Sequence, residues 1–85
     1  MYKIGQVVLA KAGKEKGEIF VIVALDEKFA YLADGKRLIA DNPKKKSFKH
    51  IKLYCNESLN ESDVLDKNAR VNALLRKFLS DKRRM

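Results

Sequence analysis

The chain has 85 residues, 35% of them charged, and a formal net charge of +8. That length allows one domain and leaves no room for a large enclosed substrate cavity. A single Cys excludes an intramolecular disulfide, and no apolar run approaches the roughly 20 residues of a membrane span.

The lead-in Met1-Tyr2-Lys3-Ile4-Gly5 lacks an apolar signal core, so the expected location is cytoplasmic, with no membrane partner. Its alternation of Tyr2 and Ile4 with Lys3 and Gly5 suits pairing at a sheet edge. Val7–Ala10 and Glu18–Leu25 are rich in β-branched and aromatic residues and read as the first two strands. In the second, Ile19, Val21, Val23 and Leu25 alternate with Glu18, Phe20, Ile22 and Ala24. Both sets are largely apolar, so both faces of that strand need cover. Between the two strands lies Lys11-Ala12-Gly13-Lys14-Glu15-Lys16-Gly17. Gly13 and Gly17 can adopt the positive φ that a tight loop requires, and the lysines decorate it.

Asp26-Glu27-Lys28 is a polar turn before a third strand, Phe29–Ala33. Asp34-Gly35 predicts a two-residue hairpin turn, followed by a fourth strand over Arg37–Ala40. Asp41-Asn42-Pro43 breaks that strand, because Pro cannot donate to a ladder. Lys44-Lys45-Lys46-Ser47 reads as a basic loop and Phe48–Tyr54 as the fifth strand. Five short strands with hairpin turns predict a mainly β fold, a small barrel over residues 1–54.

Composition shifts at Cys55. Ser58 and Glu61 fit a capping box, Asp66 suits a second N-cap, and Val64-Leu65 a short helical turn. The clear C-terminal α-helix runs from Lys67 to Leu79, with Val71, Leu74, Leu75, Phe78 and Leu79 on one stripe. Residues 80–85 read as a frayed basic tail. An isolated helix of this length is marginal in water, so its stripe is expected to cover the second face of the second strand. The alternative is that the stripe binds another chain.

No catalytic constellation is visible, and no enzyme activity, cofactor or metal site is expected. His50 is the only histidine and lies in a basic segment, where contact with a phosphate is a simpler role than proton transfer. Cys55 is expected to be a small packed residue. Gly13-x-x-x-Gly17 runs strand to strand and lacks the Gly-Lys-Ser/Thr ending, so it is not a nucleotide-binding P-loop. What remains is charge. Residues 1–53 hold twelve Lys and Arg against six Asp and Glu, and residues 54–85 hold seven against five. Lys11, Lys14 and Lys16, Lys36 and Arg37, and Lys44, Lys45, Lys46, Lys49 and His50 can converge on one side of a small barrel and follow a phosphate backbone. Tyr2, Tyr31 and Phe48 are candidates for stacking on an unpaired base, although core packing is favoured for Tyr31 and Phe48.

Gly5-Gln6-Val7-Val8, Gly13-x-x-x-Gly17, Val21-Ile22-Val23, Asp26 and Tyr31-Leu32-Ala33-Asp34-Gly35 together resemble the KOW motif of ribosomal proteins and transcription elongation factors. The similarity is closest to the small KOW proteins related to archaeal and eukaryotic large-subunit ribosomal proteins, and it covers roughly the first 53 residues. Gly17 stands in the place of the motif's characteristic glycine. Many members carry a third glycine just after the loop, where this chain has Glu18-Ile19-Phe20. The resemblance implies an SH3-like barrel and a monomeric RNA-binding module whose target is ribosomal RNA or the ribosome. The second reading is a protein partner, with the chain as an interaction module of the transcription or translation machinery.

Overall fold

The computed structural model describes residues 1–66 and 70–83. Three apolar segments form strands where expected: β1, Gln6–Ala10; β2, Ile19–Leu25; and β3, Phe29–Ala33. They make an antiparallel meander, with Val7 opposite Val21 and Val21 opposite Ala33. Two further strands complete an open five-stranded sheet in the order β4-β3-β2-β1-β5.

The two edge strands lie away from their expected positions. β4 is Lys44–Ser47, the segment read as a basic loop, whereas Arg37–Ala40 is not a strand. Asp34-Gly35 is accordingly not a two-residue hairpin. The Asp34 carboxylate accepts the backbone N–H groups of Lys36 and Leu38 at 2.9 and 3.1 Å, holding a wider loop that leads to β4. Lysines are usual on an edge strand, where they discourage further pairing. Phe48–His50 is a 3-10 turn rather than the start of a strand, and β5 runs from Ile51 to Ser58. Ser58 therefore sits in the sheet opposite Gln6 and caps no helix. Asn60 occupies the N-cap of α1, Glu61–Leu65, which Asp66 closes.

Both faces of the sheet are apolar, as β2 demands. One face gathers Val8, Ala10, Phe20, Ile22, Ala30, Leu32 and Ile51, with Tyr2, Leu25, Leu38 and Phe48 against them. Among the described residues no α-helical side chain joins this cluster, and its partly exposed margin is formed by Tyr2 of the lead-in, Leu25, Leu38 and Phe48 of the 3-10 turn. A bulge between Ile22 and Ala24 shifts the β2–β3 register by one residue, which moves Leu25 to this face and away from Val23. The other face carries Val7, Ile19, Val21, Val23 and Ala33.

Helix α2, Val71–Arg83, covers that second face. Leu75 and Leu79 are fully buried there and Val71 nearly so, while Phe78 packs at the margin. The expected start of this helix, Lys67-Asn68-Ala69, lies outside the described residues, as do Arg84 and Met85. Its end runs further than the apolar stripe suggests. Residues 80–83, read as tail, are helical, and Lys82 is buried with its ammonium 2.6 Å from Glu57 on β5.

Candidate nucleic-acid interface

The loop between β1 and β2 is closed at its base by Ala10, whose N–H donates to the Glu18 carbonyl at 3.0 Å and whose carbonyl accepts Gly17 N–H at 2.9 Å. Within it, Lys16 N–H reaches Gly13 O and Glu18 N–H reaches Glu15 O. These turns require left-handed backbone at Gly13 and Gly17, with φ +82° and +88°. A Cβ at Gly17 would meet nothing within 4 Å, so only the dihedral demands glycine there. At Gly13 a Cβ would lie 2.6 Å from the Lys46 ammonium, which crosses this point to reach the loop.

Lys46 is the member of the lysine run whose role charge alone does not reveal. It lies opposite Ala30 in the ladder, on the strand face that turns inward, and it is buried. Its Nζ donates to Ala12 O at 2.7 Å and lies 3.1 Å from Glu15 Oε1. The bond to Lys46 holds the Glu15 carboxyl below its ordinary range, against the opposing effect of desolvation, with Lys44 adding a smaller attraction. On the other flank of the loop, Arg37 hydrogen-bonds and ion-pairs with Glu18, which raises the already high guanidinium pKa. Both acids of the segment are thus neutralised from within the protein. Lys11, Lys14 and Lys16 are exposed and make no ion pair among the described residues.

The 3-10 turn adjoins the same loop, since Lys11 N–H donates to His50 O at 2.7 Å. Exposed Lys49 and half-buried His50 therefore stand beside the loop cations. Lys44 is near enough to act on Glu15. The expected residues consequently divide. Lys11, Lys14, Lys16, Lys44, Lys49 and His50 gather around the glycine loop, and Arg37 reaches it but is spent on Glu18. Lys36 is exposed on the neighbouring 34–38 loop. Lys45, opposite Tyr31 in the ladder, projects elsewhere, its ammonium 4.2 Å from the centre of the Phe29 ring.

The aromatic candidates also separate. Tyr31 donates its hydroxyl to Asp26 Oδ2 at 2.7 Å. That bond lowers the Asp26 carboxyl, with help from the Lys28 and Phe29 N–H groups, and raises the Tyr31 phenol. Tyr2 and Phe48 stack on each other, centroids 5.7 Å apart and planes 22° from parallel. Both remain partly accessible and line an open groove. Sequence reasoning missed the pairing of Glu15 and Glu18, whose partners lie on other elements, and the role of Asp34, whose carboxylate holds the N–H groups of its own loop.

Among the described residues no group of three or more His, Cys, Asp or Glu could hold a metal ion, and no helix is long and apolar enough to cross a membrane. Compared with models of known protein families and with curated protein sequences, the chain matches none.

Proposed function

We propose that this chain is an RNA-binding module that holds a phosphate backbone against its glycine loop. The proposal extends to a KOW-type, SH3-like arrangement of the sheet and to ribosomal RNA or the ribosome as target. The observation that carries it is the pairing of Glu15 with Lys46 and of Glu18 with Arg37. With both acids cancelled, the field over the loop belongs to Lys11, Lys14 and Lys16, joined by Lys44 and Lys49. Cations on a rigid hairpin neutralise phosphates without ordering a long flexible arm, and such contacts fix position rather than sequence.

Five phosphate contacts predict that log affinity for single-stranded RNA falls with log salt at a slope of about −3.5. Replacing Lys11, Lys14 and Lys16 together by Ala should make that slope shallower by about 2. Lys45→Ala, which removes the same charge from the far side of β4, should change it little. Binding that ignores salt, or a Lys45 variant as impaired as the loop variant, would defeat the reading.

A second reading, a protein-interaction module, rests on β5. This strand is an edge of the sheet, and Leu53 and Tyr54 on it are 43% and 42% exposed. A partner could add a strand there through backbone hydrogen bonds. Such binding would be insensitive to salt and sensitive to Leu53→Lys.

A further inference from the structure

A groove lies beside the stacked pair Tyr2 and Phe48, with Leu25 and Met1 completing an apolar lining and Asp26 and Glu27 on its rim. Its volume is about 680 Å³, within the usual range of small-ligand sites. Two carboxylates are an odd rim for a protein of net charge +8, and they are not equivalent. Both oxygens of Asp26 are engaged: Oδ1 accepts Lys28 and Phe29 N–H at 2.8 and 2.7 Å, and Oδ2 accepts the Tyr31 hydroxyl. Glu27 is exposed and has no side-chain partner among the described residues. The groove therefore offers an aromatic platform and one free group that, ionised, can only accept hydrogen bonds.

We infer that this groove takes one unpaired guanine of the bound RNA strand. The inference rests on the phosphate-binding reading above and names the substrate class of that surface. An aromatic platform stacks any base; the carboxylate selects among them. Guanine alone presents two adjacent donors, N1–H and N2–H, that match the two oxygens of a carboxylate. Uracil offers one N–H flanked by two carbonyls that a carboxylate repels, while adenine and cytosine offer one amino group beside a ring acceptor. A paired guanine has both donors occupied, so the site requires single-stranded RNA. The acidic rim repels phosphates, and the nearby cations receive them. Phe48 begins the 3-10 turn that carries Lys49 and ends at His50, against the glycine loop. A strand whose base enters the groove thus has cations for its flanking phosphates within the same turn.

The test uses the full chain and fluorescence anisotropy with labelled oligouridylate of about eight nucleotides, a length suited to one small domain. One central uracil is replaced in turn by guanine, inosine or adenine. Guanine should strengthen binding about 10-fold, the effect of one good bidentate contact. Inosine, which keeps N1–H and lacks the 2-amino group, should recover only part of that gain, and adenine none. Glu27→Gln should abolish the guanine preference without weakening oligouridylate binding, since it removes a charge that repels phosphates and uracil carbonyls alike. Tyr2→Leu should weaken every oligomer about 5-fold or more by removing the platform. Annealing the guanine oligomer to its complement should remove the gain. A chain that binds oligouridylate with the expected salt slope but does not distinguish guanine overturns the inference and leaves the phosphate reading standing. A guanine preference that survives Glu27→Gln likewise overturns it. A chain that binds none of the oligomers overturns both.

Discussion

Lys44, Lys45 and Lys46 are chemically identical and adjacent, yet their replacement by Ala should have unequal consequences for folding. Lys46 is the informative one. Its side chain is 9% exposed and that of its partner Glu15 is 15% exposed. Removing the ammonium deletes a charge-assisted bond to the Ala12 carbonyl, worth about 1.5–3 kcal/mol, and leaves Glu15 without its counter-charge. Breaking a fully buried pair costs about 3–5 kcal/mol. Glu15 lies on a surface loop that can turn its carboxylate out to water, so the lower bound applies, and we expect a loss of about 3 kcal/mol for Lys46→Ala. For a domain of this size each kcal/mol shifts Tm by about 4–8 °C, so the change should exceed about 10 °C. Lys44→Ala and Lys45→Ala should stay within about 0.5 kcal/mol. Urea denaturation of the three variants measures this directly. A double-mutant cycle with Lys46→Met and Glu15→Gln then isolates the pair, and the double variant should lose less than the two single losses combined. Equal midpoints for the three alanine variants would refute the claim that Lys46 anchors the loop, and with it the explanation for the loop's surplus charge.

Other outcomes follow from the same geometry. Because Lys46 depresses the Glu15 carboxyl below its ordinary 4.5, the pair's contribution is complete above that pH and is lost as pH falls toward the lowered folded value; Lys46→Met should flatten this acid limb of the stability profile. Gly17→Ala should cost about 1 kcal/mol through its dihedral alone, read as a shift in Tm, since its Cβ meets nothing. Leu75→Ala, at a fully buried position where α2 meets the sheet, should cost about 2–5 kcal/mol by urea denaturation; an unchanged midpoint would mean that the helix leaves the sheet in solution.

The parts of the fold most legible in the sequence are those where burial dictates composition. β1, β2 and β3 are largely buried, and every residue in them except Gln6 is aliphatic or aromatic. The two apolar faces of β2 also correctly require a helix, and Leu75 and Leu79 supply it. The edge strands escape because solvent accepts any polar residue. β4 is lysine on both faces, so its period of two is invisible in residue type, although Lys46 is buried and Lys45 is not. The outer half of β5 is exposed, and Asn56-Glu57-Ser58 consequently looks like a linker. Lys82 reads as tail because its partner Glu57 lies on that unrecognised half-strand. At the candidate interface the loop cations were legible from their spacing around Gly13 and Gly17. The cancellation of Glu15 and Glu18 was not, since it depends on Lys46 and Arg37, brought in from other strands and loops by the sheet.

Gly35 makes the cation-bearing 34–38 loop and α2 interdependent. Its φ is +80°, and a Cβ there would stand 2.2 Å from the Asn72 carbonyl oxygen on the helix. The helix meets the bare backbone at this point: Arg76 Nη1 donates to Gly35 O at 2.6 Å, and Asn72 Oδ1 accepts Ala40 N–H at 2.9 Å. Over evolutionary time these positions should not vary independently. In a descendant that lost the helix, residue 35 would be released from the steric half of its constraint, and asparagine or aspartate, which tolerate left-handed backbone, would become admissible. In a descendant that kept it, glycine should persist even if every lysine around it drifted. The pattern of substitution at this one position would therefore record whether a given lineage retains the helical half of the molecule.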